Sequence, residues 1–250
     1  MQHKEVNPHM DRVRFALRAT GVTLDPPNPL RSGIHSRGYL PHVKREGASY
    51  FVTFRLADSL PKQVVLELQA DRAARLHRFF AQLEARKRHP QAPAPTDTQE
   101  TIDRDYRRQV ERYLDKGVGA CYLDRPEIAE LVANALRYFE GQRYHLTDWV
   151  VMPNHVHAVV WPMPNELLGN IVKSWKGYTG REANKLLRRV GEPFWQKEPF
   201  DHWIRDDDEK ARIGRYVRHN PVTAGLCTAP EHWQWSSAWA GWTKAKPPPA

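Results

Sequence analysis

The strongest hydrophobic patterning lies mid-chain, where two β-branched and aromatic runs, Tyr144 to Met152 and His155 to Trp161, are separated only by Pro153-Asn154. Two turn residues between such runs predict a β-hairpin. Upstream, Tyr50-Phe51-Val52-Thr53-Phe54-Arg55-Leu56 has the same character and stops at Ser59-Leu60-Pro61, which predicts a first core strand. Between these strands the apolar period lengthens. Residues 62 to 88 place Val65, Leu66, Leu68, Leu76, Phe79, Phe80 and Leu83 at helical spacing among many charges, and a proline-rich break follows at 90 to 95. Residues 98 to 115 then carry Ile102, Tyr106, Val110, Tyr113 and Leu114 on one side, so the stretch at about 62–116 reads as a helical insertion. Pro126 opens an apolar stripe that runs to Phe139, with proline in the first turn, where its missing N–H costs nothing.

Past the hairpin, Glu166 to about Leu187 predicts a helix despite Gly169, Gly177 and Gly180, and Phe194 to Ile204 predicts extended chain. Asp206-Asp207-Asp208-Glu209 supplies acids suited to a helix start. That helix, through Ile213, Tyr216 and Val217, is expected to end at Asn220, because Pro221 disfavours helical geometry in the residue before it. Strand, insertion, helix, hairpin, helix, strand, helix predicts an α+β fold, a ferredoxin-like antiparallel sheet with helices on one face. Residues 1–40, with scattered Pro and Gly, read as an N-terminal arm, residues 41–240 as a single domain, and residues 241–250, ending Lys246-Pro247-Pro248-Pro249-Ala250, as a disordered tail.

Charge narrows the partner class. Lys and Arg number 38 against 29 acids, a formal charge of +9, and they are interleaved with nine Trp and nine Tyr. That mixture suits phosphate neutralisation combined with base stacking, so nucleic acid is the expected partner. No run of about 18 apolar residues occurs and the start lacks an apolar signal segment, which predicts a soluble, cytoplasmic and nucleoid-associated protein without a membrane partner. Cys121 and Cys227 are too few for a disulfide framework or a cysteine zinc site, leaving His, Asn, Gln or carboxylates to hold any metal.

His155-Val156-His157 opens the second hairpin strand, where residues two apart share a face, so both imidazoles can converge on one cation while Val156 points the other way. A bare His-x-His pair can equally sit on a wet sheet face. Tyr216 lies sixty-one residues after His155, and Asn220 follows four residues later on the same helical face. Taken singly, Tyr216 could be a core aromatic and Asn220 a helix-ending residue before Pro221. Tyr178, in Lys173-Ser174-Trp175-Lys176-Gly177-Tyr178-Thr179, is the rival nucleophile and reads instead as a DNA contact or packing residue; His219 is a weaker alternative to Asn220.

Pro153-Asn154-His155-Val156-His157-Ala158-Val159-Val160 resembles the HUH motif of single-tyrosine transposases and relaxases. Ile213-Gly214-Arg215-Tyr216-Val217-Arg218-His219-Asn220-Pro221-Val222-Thr223-Ala224-Gly225-Leu226 resembles the tyrosine helix of the REP-associated tyrosine transposases. Arg37-Gly38-Tyr39-Leu40-Pro41-His42 and strand 50–56 share the likeness, the insertion less so. Trp195-Gln196, Phe200-Asp201, Ile204-Arg205-Asp206 and Trp235-Ser236-Ser237 recur in that family and read as scaffold or DNA-facing surface. The resemblance implies an HUH endonuclease fold, with His155, His157 and Asn220 as ligands of a divalent metal ion, Mg²⁺ or Mn²⁺ foremost, although two imidazoles also suit Zn²⁺, Co²⁺ or Ni²⁺. It implies Tyr216 as the nucleophile in cleavage of single-stranded or hairpin DNA at repeated palindromic elements through a 5′-phosphotyrosine. No small-molecule cofactor is expected, and a monomer is favoured over a dimer that exchanges its tyrosine helix. The basic stretch Lys173, Trp175, Lys176, Tyr178, Arg181 and Lys185, with Arg188 and Arg189, together with Arg215 and Arg218, is expected to contact DNA, the arginines beside Tyr216 also helping to form phenolate. The alternatives are a hairpin-binding protein without catalysis and a hydrolase that activates water at the His pair.

Overall fold

The computed structural model describes residues 47–242 together with two short strands, β1 (Gly33–Ser36) and β2 (Pro41–Lys44), which pair antiparallel. This small hairpin lies in and beside the region read as the N-terminal arm; the rest of that arm, and the tail beyond residue 242, fall outside the described residues. The boundary of the expected tail moves slightly, because Trp242 packs against Trp149, Trp235 and Trp239.

The main sheet contains β3 (Tyr50–Arg55), β4 (Tyr144–Val151), β5 (His155–Pro162) and β6 (Phe200–Trp203), in the antiparallel order β4-β5-β3-β6. Numbered within the domain, that order is the ferredoxin-like one the sequence predicts. Between β3 and β4 stand α1 (Lys62–Arg88), α2 (Gln99–Leu114) and α3 (Pro126–Arg137); α4 (Leu168–Leu186) joins β5 to β6, and α5 (Asp207–Thr223) follows. Of the extended stretch predicted at 194–204 only Phe200–Trp203 joins the ladder in full, with Trp195 making a single bridge to Leu56.

Alternation along the strands builds two cores. Val52, Phe54, Val156, Ala158 and Val160 face α3 and α4 in the larger one, through Ile128, Val132, Leu136, Ile171 and Trp175. Phe51, Val150 and Val159 face the other way and meet Val217, Ile213 and Tyr216 of α5. The sheet is therefore covered on both faces. The two ferredoxin-like helices lie on one side, as expected, and α5 adds a layer across the opposite side. At the sheet's edge, residues 235–237 pair with β4 through Val151 N–H to Trp235 O (2.8 Å) and Ser237 N–H to Trp149 O (2.8 Å), which covers an otherwise open strand.

The last helix departs from its predicted end. Asp206 caps it by accepting from Glu209 N–H, but the helix continues through Pro221 to Thr223. Pro221 removes only one backbone donor, within the last turn, and Leu226 N–H bonds back to its carbonyl at 2.9 Å. The insertion folds as a helix pair, with Arg72 bound to Asp103 and Arg75 bridging Asp97 and Asp105. Its far end reaches the turn before β5, where Asn154 binds the carbonyls of Leu114 and Val118.

Candidate active site

A two-residue turn in the chain brings the hairpin strands together, and its second residue organises the histidines beyond it. Asn154 Nδ2 donates to Leu114 O (3.1 Å) and Val118 O (3.0 Å). With its donors spent, its Oδ1 accepts from Nδ1 of His155 at 2.7 Å. That bond fixes the ring and leaves Nε2 of His155 with a lone pair. His157 sits opposite Thr53 in the strand register, and Thr53 Oγ1 meets its Nδ1 at 2.8 Å. When the hydroxyl accepts there, the Nε2 of His157 is likewise unprotonated.

The two Nε2 atoms face each other at 3.1 Å. Two neutral imidazoles cannot both present lone pairs at that distance without a proton or a cation between them. Nitrogen ligands about 2.1 Å from one ion and about 90° apart would lie about 3 Å from each other, so the spacing suits two neighbouring metal ligands. Burial supports neutrality: His155 is 1% exposed and His157 is fully buried. Desolvation pushes the His155 pKa down to about 3, and desolvation together with the neighbouring ring holds His157 well below the usual histidine value.

The same burial sets a pH dependence. In the unfolded chain both histidines take up protons near pH 6.5, whereas the folded metal-free protein resists doing so. The stability they confer is therefore fully present above about pH 6.5 and is lost as pH falls toward the folded values. Urea unfolding in a chelating buffer should show a loss on the order of 2 kcal/mol from His155 between pH 7 and pH 5, with His157 adding a loss of the same sign. A His155→Gln/His157→Gln double variant should lack this loss, and an equal pH slope in that variant would contradict it.

Tyr216 is carried to the pair by α5. Its hydroxyl lies 3.3 Å from Nε2 of His157, its ring packs 5.4 Å from that imidazole, and Phe51 closes the other side of both rings. Asn220, one turn later, is 1% exposed, and neither its Oδ1 nor its Nδ2 has a hydrogen-bond partner. Its amide is near enough to bias the Tyr216 phenol and the Asp115 carboxyl, but it meets neither with good hydrogen-bond geometry. An orphaned buried amide beside two lone-pair-bearing imidazoles fits a cation-binding set of His155, His157 and Asn220. No third His, Cys, Asp or Glu completes a cluster around the pair among the described residues.

Burial first, then the charges of Glu111 and Asp115, raise the Tyr216 phenol well above its ordinary value. Burial and the neighbouring Asp115 likewise push Glu111 up to about 7. Both carboxylates come from the end of α2, and sequence reading missed them because the insertion carries no recognisable motif. It also missed Thr53 and Asn154, although Asn154 stands inside the histidine motif.

The position of α5 depends on a β-bulge. The register slips between Leu146 and Asp148, so Leu146 stays with the larger core while Asp148 turns toward α5. Arg218 donates to Asp148 there, and a Cβ on Gly214 would stand 2.8 Å from Asp148 Oδ2. Gly214 is thus the residue that lets the tyrosine helix approach the sheet.

These contacts revise several expected roles. Arg218 anchors α5 to β4, and Arg215 projects from the exposed side of the helix, so neither approaches the Tyr216 phenol. His219 is exposed and bonds Arg215 O, away from the pair. Trp175 is 3% exposed, packed against Phe54 and Tyr144, and donates its indole N–H to Tyr144 Oη, so it is a core residue with no face to offer a base. Lys176 Nζ is tied to the carbonyls of Gln196 and Lys197. Tyr178 is exposed on α4, across the sheet from the histidines. Lys173, Lys176, Arg181 and Lys185 line a cavity of about 1190 Å³ beside Tyr50 and Trp195, on the face opposite the His pair. Trp195 and Ser236 are buried scaffold.

Residues 124–220 match the family described as "Transposase IS200 like", a span holding both histidines, Tyr216 and Asn220. Among solved structures, a REP-associated tyrosine transposase bound to a REP hairpin aligns over 81% of each chain, at 14% identity and a TM-score of 0.43. A crystal structure assigned as a transposase from Deinococcus radiodurans R1 aligns over 74% of this chain and 96% of that one, at 13% identity and a TM-score of 0.32. No curated protein matches the sequence. At these scores the structural likenesses carry no weight in assigning a function.

Proposed function

We propose that the protein is a strand transferase that cleaves single-stranded DNA beside a hairpin through Tyr216, a reading supported by the similarity of residues 124–220 to the IS200-like transposases. The observation that carries the reading is the convergence of the Tyr216 hydroxyl on the paired His155 and His157 Nε2 atoms, beside the orphaned amide of Asn220.

In this reading Tyr216 Oη attacks phosphorus in line, the bond to the 3′ oxygen breaks, and that oxygen leaves as a hydroxyl after the phenolic proton has been exchanged through solvent. The product is a 5′-phosphotyrosine and a free 3′-hydroxyl, so the step is reversible on a second strand without external energy. His155, His157 and Asn220 would hold a divalent cation, which when bound would supply positive charge to the scissile phosphate and favour the phenolate. Phe51 fixes the direction of the phenol by an edge contact at 6.1 Å, and the Arg218–Asp148 pair holds the helix that presents it. Burial and the charges of Glu111 and Asp115 disfavour the phenolate of Tyr216, so added positive charge at the site would assist the attack. The exposed cations of α4 lie on the far face, where Lys173, Arg181 and Lys185 suit the phosphates of a duplex stem rather than the scissile strand.

The test uses a hairpin oligonucleotide with a single-stranded flank and a label on either side of the break. With Mn²⁺, the strand bearing the 5′ phosphate should remain attached to the protein in denaturant, and the other strand should end in a 3′-hydroxyl. Two free products would point to hydrolysis by water, and uncut but bound DNA would point to a hairpin-binding protein without catalysis.

A further inference from the structure

We propose that Arg55 grips the cleaved strand by the phosphate next to the scissile one and so holds the DNA in line with Tyr216. The inference rests on the proposed reading of the site and supplies what that reading lacks, a basic group on the catalytic face.

The basic residues expected at the site lie elsewhere. Arg218 is bound to Asp148, Arg215 projects outward from α5, and Lys173, Arg181 and Lys185 line the cavity on the opposite face. The four strands of the main sheet contain one Lys or Arg between them, and it is Arg55. Arg55 ends β3 directly opposite His155, two residues after Thr53, which sits opposite His157 and meets its Nδ1 at 2.8 Å. Residues two apart on a strand share a face, so Arg55 leaves the sheet on the side of the histidines, and directly opposed residues have Cβ atoms about 5 Å apart. Tyr216 meets His157, whereas Arg55 flanks His155. That order puts Arg55 at the end of the pair away from the nucleophile, where the next phosphate of a strand held at the pair would pass.

The side chain is held in place. Ser59 is buried, and its hydroxyl donates to Leu56 O at 2.8 Å while accepting from Arg55 Nη1 at 3.0 Å. The insertion braces the turn that carries Ser59: Ala120 N–H donates to Asp58 Oδ2 at 2.9 Å, and a Cβ on Gly119 would stand 2.7 Å from Asp58 O. Leu56 N–H bonds Asn154 O at 2.9 Å, which ties the same turn to the residue before His155. A guanidinium fixed before its ligand arrives loses less entropy when it grips a phosphate.

Its charge is unanswered within the fold. Among the described residues Arg55 forms no ion pair, whereas Arg72, Arg75, Arg143 and Arg218 each meet a carboxylate. Burial works against its charge, and the titratable group that supports it is the Tyr106 phenol of α2, which burial itself keeps protonated. None of its nitrogens is among the buried atoms left without a partner, so the donors not spent on Ser59 open to solvent. A fixed, partly desolvated guanidinium with donors to spare matches a phosphate, which accepts two parallel N–H bonds from it.

The experiment measures formation of the covalent adduct by the full chain with Mn²⁺, on hairpin oligonucleotides carrying a neutral methylphosphonate at one phosphate at a time on either side of the scissile bond. Far-ultraviolet circular dichroism confirms that each variant is folded. Arg55→Gln should slow adduct formation about 10- to 100-fold at saturating DNA, while hairpin affinity stays within about threefold. Arg55→Lys, which keeps the charge in the fold, should recover only part of the rate, because an ammonium cannot make the paired bonds. Wild type should lose a similar factor from a methylphosphonate at one phosphate adjacent to the scissile one, and Arg55→Gln should lose less than about twofold more at that position. A purely structural role would slow every substrate equally. Additive losses at all positions, or a wild-type rate in Arg55→Gln, overturn the proposal while leaving the Tyr216 adduct intact. A wild type that forms no adduct on any substrate overturns the site reading and this proposal together.

Discussion

Tyr216→Phe is expected to abolish strand cleavage, by at least about 10⁴-fold, while leaving hairpin binding within about twofold of wild type. The substitution removes one oxygen, which meets Nε2 of His157 at 3.3 Å. The ring keeps its edge contact with Phe51 and its packing against the imidazole, so the fold has little reason to change. Gel-shift binding and cleavage of the same labelled hairpin measure the two effects side by side. Cleavage at the wild-type rate would mean that the nucleophile is another residue. Tyr178→Phe serves as the comparison: Tyr178 is exposed on the far side of the sheet, and its loss should leave cleavage nearly unchanged.

His157→Ala is expected to lower the cleavage rate by about 10²–10³-fold and to flatten its dependence on Mn²⁺ concentration. The ring is fully buried, accepts or donates at Thr53, and faces both His155 and Tyr216, so its removal takes away one of the proposed cation ligands and the wall behind the phenol. A stability readout separates metal loss from misfolding. Mn²⁺ at about 100 times its dissociation constant should stabilise the wild type by about 2.7 kcal/mol, roughly 5–10 °C in midpoint for a chain of this size. The variant, still cooperative in its unfolding, should show almost no shift. A full Mn²⁺ shift in His157→Ala would remove this imidazole from the ligand set.

What was legible in the sequence is what depends on local periodicity. The Tyr144–Val151 and His155–Pro162 hairpin follows from two β-rich runs and a two-residue gap, and the facing of His155 with His157 follows from the strand repeat alone. The i, i+4 relation of Tyr216 and Asn220 was equally local. That the helix bearing them crosses the second face of the sheet was not legible, because Ile213, Tyr216 and Val217 specify an apolar stripe without saying which surface receives it. The β-bulge that turns Asp148 toward Gly214 breaks the two-residue repeat, so pattern reading could not assign either residue its role. Trp175 misled because interleaved basic residues suggested a stacking platform, while tertiary packing against Phe54 and Tyr144 made it core.

The part of the site contributed by α2 was hidden for a different reason. Leu114, Asp115 and Val118 stand some forty residues before the histidines, in a charged helical stretch of ordinary composition. Their approach to His155 depends on the Asn154 amide, a contact made across the fold. Long-range hydrogen bonds of this kind leave no periodic trace.

The most direct measurement is peptide mapping of the covalent complex. Wild-type protein is incubated with the hairpin substrate and Mn²⁺, digested, and the nucleotide-bearing peptide is identified by mass spectrometry. The account predicts a single modified peptide containing Tyr216, formed only with metal present and absent from His157→Ala. A nucleotide on any other side chain, or an adduct formed equally well in chelator, would contradict it.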